Sequence, residues 1–310
     1  MMNAVDGDRR TVTRTTLAMG TIVNVHVSTV KPDFLIERAM GRVSQVFRDV
    51  EHNCSRFDAS SELSQLCRST GVFVPVSDML FEAVRFAIEV AKATDGLFDP
   101  TVGQTMSRLG FNRHYLTGAV VMPDLTGRAD YRDVELDEDR RQIRLAKPLL
   151  LDLGAVAKGF AIDLAAQTLQ GFEGFVVDAG GDLYVSGTNH HGEAWHVGIQ
   201  HPVDSRRTIC NLRLTDTAIC TSGNYERKSP VVATAHHIVD AKTGISPVEV
   251  VSCTAIAPYA MMADAFSTAS LLLGVEHGIK LLEALGLEGL WITSDLEVHT
   301  TNQFTRYQYE

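Results

Sequence analysis

The chain has 310 residues, 45% of them hydrophobic and 21% charged, a balance that fits a folded globular protein and excludes disordered and fibrous classes. At roughly 150 residues per domain, one or two domains are allowed. The formal net charge of −10 excludes a broad, sequence-independent grip on nucleic acid, which needs clustered Lys and Arg to replace phosphate counterions.

An anionic ligand would therefore need a local device, such as a bound cation or a helix N-terminus. No apolar run approaches the ~20 residues of a membrane span. The start, MMNAVDGDRRTVTRTT, is polar and lacks the apolar centre of a secretory signal, which points to the cytoplasm. Cys54, Cys67, Cys210, Cys220 and Cys253 are odd in number and contain no CxxC pair, so they are expected as small buried residues rather than a disulfide framework or a zinc site.

In chain order, TIVNVHVSTV (21 to 30) alternates as a half-buried strand with Val23, Val25 and Val27 on one side. Ile36, Met40, Val43, Phe47 and Val50 then recur every three or four residues, predicting an amphipathic helix after Pro32 and Asp33. A second helix is expected from an N-cap at Ser77 to a stop at Asp95 and Gly96. The polar region 115 to 150 is the best candidate for a boundary or insertion. It carries an expected hairpin, VELDEDRRQIRLAKPLLLDL, turning at EDRR.

LDLGAVAKGFAIDLAAQTL (151 to 169) predicts a strand, a glycine turn and a helix. Short strands follow, GFVVDAG, DLYVSG, WHVGIQ, ICNLRLTD, HHIVD and VVSCTAIAP, separated by Gly, Asn, Pro and Asp. Two helices, MMADAFSTASLLLG and VEHGIKLLEALG, precede a last strand, GLWITS, and a polar tail, TTNQFTRYQYE, is expected to be loosely ordered. This grouping favours an α+β fold with mixed, largely antiparallel sheets packed with helices over a βαβ repeat.

Several segments carry side chains suited to chemistry. MADAFSTA sets Asp264, Ser267 and Thr268 on one side of a helix. Their oxygens suit Mg²⁺ sharing a site with phosphate oxygens, and the competing reading is an exposed face with a back-bonding threonine. Free NH groups after Gly154, with Lys158 nearby, suit an anion; a plain strand–helix junction fits the same residues. Gly180 and Gly181 predict a tight turn or a close backbone approach, and TSGNYER offers hydroxyls and a tyrosine on a turn. In HHIVDAKTGISP, adjacent strand residues point to opposite faces, so His236 and His237 do not ligate one metal together. Only His236 shares a face with Asp240 unless the chain turns.

The ordered set LAMGTIVNVHV, FDASSELSQL, LFDPTVG, LDLGAVAKG, VDAGGDLYVSG, WHVGIQHP, CTSGNYER, HHIVDAKTGISP and ADAFSTASLLLG closely resembles the ApbE family of FAD:protein FMN transferases, from about Met19 to about Gly274. The resemblance implies a single ApbE-like (T-fold-like) domain that binds FAD with Mg²⁺. Such an enzyme transfers the FMN half to a threonine or serine hydroxyl of a separate target flavoprotein and releases AMP. A FAD pyrophosphatase and a non-catalytic FAD-binding protein are the alternatives, and a homodimer is allowed.

By the same resemblance, Asp264, Thr268, adjacent Ser267 and the Ala155 carbonyl are the expected metal positions. Met19, Phe57, Leu97, Phe98, Asp99, Asp152, Lys158 and Ile238 are expected against FAD. His237 is the first choice for the general base, with Asp240 orienting the site or holding its loop. The chain departs from the common pattern at Ala241 (commonly proline), Cys67 (commonly asparagine), Phe57 (frequently tyrosine) and Ser267 (a second aspartate in some members).

Overall fold

The structure, a computed structural model, describes residues 9–121 and 127–309. Residues 122–126 of the expected boundary region, the first eight residues of the polar start and Glu310 lie outside the described residues.

The first hairpin pairs β1 (Arg10–Ala18) with β2 (Thr21–Thr29), closing from Arg10 opposite Thr29 to Ala18 opposite Thr21. Both turn residues have positive φ, Met19 at 52° and Gly20 at 73°, as a turn matched to strand twist requires. β1 was expected only as a polar start. It is an outer strand whose Arg10 and Arg14 reach across to Asp33 and Glu37, so its apolar alternation is too thin to stand out.

The predicted helices form where the apolar periods place them. In α1 (Asp33–Cys54), Ile36, Met40, Val43, Phe47 and Val50 are fully buried, each such side chain contributing about 1.5–3 kcal/mol on leaving water. A short α2 (Glu62–Cys67) follows, capped by Ser61 Oγ accepting from the Ser64 NH at 3.0 Å, and then β3 (Phe73–Pro75). In α3 (Asp78–Ala93), Ser77 Oγ accepts from the Leu80 NH at 3.2 Å, and the helix ends where the Gly96 NH reaches back to Ala91 O at 2.7 Å. After α4 (Gly103–Arg108), β4 (Val134–Asp137) and β5 (Gln142–Leu145) form the expected hairpin, and β3 joins them in a three-stranded sheet.

Residues 151 to 153 do not form the expected strand. They run extended beside an isolated bridge between Val102 and Leu150 and lead into α5 (Ala157–Leu169). Then come β6 (Gly174–Ala179), β7 (Asp182–Gly187), β8 (Trp195–Gln200), β9 (Thr208–Leu214), β10 (Thr217–Gly223) and β11 (Val250–Ala257). The two expected C-terminal helices are the halves of α6 (Ala260–Ala284), broken at Gly274 with φ 74° and ψ 179°. β12 (Glu288–Thr293) and a short β13 (Val298–Thr300) complete the chain's strands.

One eight-stranded sheet, ordered β1-β2-β6-β7-β10-β11-β12-β13 with every pairing antiparallel, is the middle layer. Phe175, Val177, Cys220, Cys253 and Trp291 face the core shared with α1, α5 and α6. Their neighbours Val176, Ile219, Leu290 and Ile292 face a second core under the β8–β9 hairpin. Burial on both faces explains why GLWIT and AICT are continuous apolar runs rather than alternating ones. The tail is packed, contrary to expectation: Phe304 is fully buried in that second core, and the Tyr309 NH donates to Asn211 O at 3.2 Å. Among the described residues no helix is long and apolar enough to cross a membrane.

Candidate active site

The starts of α5 and α6 meet at one end of the sheet because Gly159 has no side chain. A Cβ there would lie 2.3 Å from Ala260 O. This approach lets the Gly159 NH donate to Asp264 Oδ2 at 3.0 Å. In return Asp163 of α5 accepts from the Ala260 and Met261 NH groups at 2.7 and 2.9 Å. α6 has no cap of its own, so Asp163 supplies one from the neighbouring helix. Burial, with the Asp264 charge adding to it against the two NH donors, pushes the Asp163 carboxyl up to about 6.

Lys158, in the first turn of α5, contacts the Asp182 carboxylate and stands 3.4 Å from Asp264 Oδ1. Asp182 Oδ1 also accepts from the Thr221 NH at 2.9 Å. On the next turn of α6, Thr268 Oγ1 lies 2.7 Å from Ser222 Oγ, which also pairs with Ser267 Oγ at 2.8 Å. Thr221 and Ser222 lie at the end of strand β10, not on the turn expected for TSGNYER.

Lys158, Asp182, Thr221, Ser222, Asp264 and Thr268 line a cleft of about 1200 Å³, larger than the roughly 300–1,000 Å³ of a typical small-molecule site. It brings together Met19, Phe57, Phe98, Asp99, Asp152, Ala155, Lys158, His237, Ile238, Asp264 and Thr268. Ser267, Leu97 and Asp240 are not on its wall. Ser267 is fully buried and donates to Asp264 O at 2.9 Å; Leu97 offers its carbonyl to the Ala241 NH at 3.2 Å.

HHIVD is not a strand; only one isolated bridge joins His236 to Lys228. His236 is buried, with Nε2 at 2.7 Å from Pro247 O and Nδ1 accepting from the Ile238 NH at 3.3 Å. The chain then turns at Asp240, whose Oδ1 accepts from the Lys242 NH at 2.8 Å and whose Oδ2 accepts from Thr243 Oγ1 at 2.8 Å. With both oxygens so engaged, Asp240 holds the loop, and Ala241 follows it without the ring of a proline. His237 remains half-buried on the cleft, Nδ1 at 3.4 Å from Arg227 O. Burial, with Arg227 next, pulls its imidazole down to about 4, so it is neutral at neutral pH. A proton on Nδ1, directed at Arg227 O, leaves Nε2 as the basic nitrogen.

Sequence reasoning missed Arg56, Asp163, Asp182 and Ser222. Arg56 is 4% exposed; its Nε meets Asp152 Oδ2 at 2.5 Å, one terminal nitrogen donates to Phe111 O at 2.5 Å, and its guanidinium lies 4.1 Å from the centre of the Phe57 ring. Its other terminal nitrogen, Nη1, has no partner among the described residues. Burial alone would raise the Asp152 carboxyl, but Arg56 and the Gly154 NH, 2.8 Å from Oδ1, hold it below the usual carboxylate range. Buried Asp99 shifts the other way, upward, against NH donors from Thr101 and Tyr131. The available signals were a charged residue beside Phe57 and a lone acid in the apolar run GFAIDLAA. Cys67, where asparagine is common, receives the Leu151 NH on its sulfur at 3.4 Å.

Ala155, Asp264 and Thr268 all line the cleft, and a carbonyl, a carboxylate and a hydroxyl oxygen are hard donors of the kind that Mg²⁺ takes together with phosphate oxygens. The Lys158 ammonium at 3.4 Å from Asp264 Oδ1 shows that positive charge is accommodated beside this carboxylate. No cluster of three or more His, Cys, Asp or Glu able to hold a metal occurs among the described residues.

The chain is 29% identical over 316 residues to the FAD:protein FMN transferase of Treponema pallidum, covering 94% of this chain and 87% of that one. It is 30% identical over 275 residues to the protein of the same name from Vibrio cholerae, covering 86% and 80%. The crystal structure of the ApbE protein of Thermotoga maritima superposes with a TM-score of 0.85 at 27% identity, covering 97% of this chain and all of that one. The flavin transferase ApbE of Vibrio cholerae does so with 0.82 at 26% identity, covering 96% and 99%. The ApbE family profile matches residues 19–291, and the chain belongs to the ApbE family.

Proposed function

We propose that the protein transfers the FMN half of FAD to a threonine or serine hydroxyl of a separate flavoprotein, with Mg²⁺, releasing AMP. The observation that carries this reading is the meeting, in one cleft, of a neutral histidine with a basic nitrogen and a carboxylate–hydroxyl–ammonium group suited to a pyrophosphate. The names of the relatives in Treponema and Vibrio support it.

In this reading the acceptor oxygen attacks the flavin-side phosphorus, a new P–O bond forms, the bridging P–O bond breaks and AMP leaves with the bridging oxygen. The hydroxyl proton passes to His237 Nε2, a step typically worth ~10²–10⁴-fold. Asp264, Thr268 and the Ala155 carbonyl would hold Mg²⁺, which supplies charge against the pyrophosphate oxygens. Lys158 adds fixed positive charge, and Asp182 keeps its ammonium in place. Ser222, itself paired with Ser267, holds the Thr268 hydroxyl, and Asp240 holds the loop that carries His237 and Ile238. The unpartnered Nη1 of Arg56 is a donor for an acceptor atom of the bound nucleotide, with Phe57 beside it. One ApbE-like domain and a cytoplasmic location complete the reading, the latter supported by five free thiols, as a reducing compartment maintains.

The test is incubation with FAD, Mg²⁺ and candidate flavoproteins, read by mass spectrometry of the intact acceptor. A covalent FMN adduct with matching AMP is expected. Accumulation of soluble FMN without adduct would mean that water, not a protein hydroxyl, is the acceptor.

A further inference from the structure

The β8–β9 hairpin has two edges, and the protein treats them differently. Along the outer edge of β9 the tail is laid down: Leu212 bridges Gln308, and Asn211 O accepts the Tyr309 NH. The outer edge of β8 has no strand beside it among the described residues. All six residues of β8, Trp195 to Gln200, line the cleft. Consecutive strand side chains point to opposite faces, so a strand that touches the cleft with every residue presents its edge to it.

The register shows which main-chain groups lie on that edge. Gly198 stands opposite Asn211, and Asn211 turns its carbonyl away from β8 toward the tail. The two are therefore a non-hydrogen-bonded pair, and the Gly198 NH and carbonyl point into the cleft. By period two, so do those of His196.

Open edges of this kind are normally blunted with charge, proline or brevity. β1 carries Arg10 and Arg14, and β13 has three residues. WHVGIQ carries no charged residue among Asp, Glu, Lys and Arg and no proline. An unprotected edge inside a cleft suits strand addition, in which main-chain bonds give affinity with little demand on sequence. A nucleotide lacks donors and acceptors repeating at peptide spacing; an extended polypeptide has them.

We propose that β8 is the docking edge for the acceptor protein: an extended segment bearing the acceptor hydroxyl pairs with His196 and Gly198 as a third strand of the β8–β9 sheet. This rests on the transferase reading and adds to it how the second substrate is held. Pairing with the main chain accounts for recognition of an acceptor through its backbone, leaving its side chains free to set specificity elsewhere in the cleft.

The test uses the full chain and a flavoprotein domain that it flavinylates, with the acceptor threonine changed to valine for the binding measurement. In hydrogen exchange, the outward amides of His196 and Gly198 should slow at least tenfold when this domain is added with FAD and Mg²⁺, and not with FAD and Mg²⁺ alone. No added protection, or full protection from FAD alone, overturns the proposal. In transfer assays with the unmodified domain, His196→Pro, which deletes an outward NH that β9 does not use, should raise KM for the acceptor at least tenfold. It should exceed the effect of His196→Ala, which loses the same ring but keeps the NH, by at least fivefold; equal effects overturn the proposal. Absence of covalent flavin on every acceptor overturns the transferase reading and this proposal with it, whereas normal flavin transfer without exchange protection overturns the docking edge alone.

Discussion

The Lys158 ammonium contacts Asp182 and stands 3.4 Å from Asp264 Oδ1, so one cation from α5 faces carboxylates from both the central sheet and α6. The Gly159 NH holds the other oxygen of Asp264, which aims Oδ1 into the cleft. Asp264→Ala should lower FMN transfer by on the order of 10²–10³-fold, the scale of losing one preorganised electrostatic contact. Covalent flavin formed across a Mg²⁺ titration measures it; a wild-type rate at limiting Mg²⁺ would remove Asp264 from the metal set.

His237→Ala should slow transfer by ~10²–10⁴-fold and leave FAD affinity, measured by flavin fluorescence, within about twofold. The pH dependence has a sign. The folded imidazole is pulled down to about 4 from an ordinary 6.5, so the basic form is present above about pH 4. The acid limb of kcat/KM should fall near 4 rather than near 6.5, and a limb at 6.5 would assign the proton to another group.

Arg56→Ala leaves the Asp152 carboxylate beside the cleft without its guanidinium. Breaking a buried pair from one side costs about 3–5 kcal/mol, seen as a lowered denaturation midpoint. In the wild type the Asp152 carboxyl is held low, so its contribution is present above the ordinary carboxylate range and is lost as pH falls below it. In the variant, burial is opposed only by the Gly154 NH and Arg227, so that carboxyl should rise. Acidification from pH 7 to 5 should then recover part of the loss; a loss that does not change with pH would separate the damage from the Asp152 charge.

Gly274→Ala should cost about 1–3 kcal/mol, because φ 74° with ψ 179° is a region essentially reserved for glycine. Urea unfolding measures it. Since Asp264 and Thr268 lie before the break, FAD affinity of the folded fraction should stay near wild type, and a large loss of affinity would mean that the kink sets the cleft.

The sequence by itself determined the buried face of α1, the cap and stop of α3, the halves of α6 and most central strands, because apolar period and capping chemistry are local. The ordered motifs also carried the family and eleven residues of the cleft wall. Tertiary structure alone decided the rest. β1 is a strand through its partner β2 and its ion pairs to α1, and the polar tail is ordered through Phe304 and the edge of β9. HHIVD turns instead of running as a strand because Asp240 satisfies its own loop. Arg56, Asp182 and Ser222 become site residues only through Asp152, Lys158 and Thr268, and Asp163 only when the bare surface of Gly159 brings the starts of α5 and α6 together. No local pattern encodes that meeting, because each of its hydrogen bonds joins residues far apart in the chain.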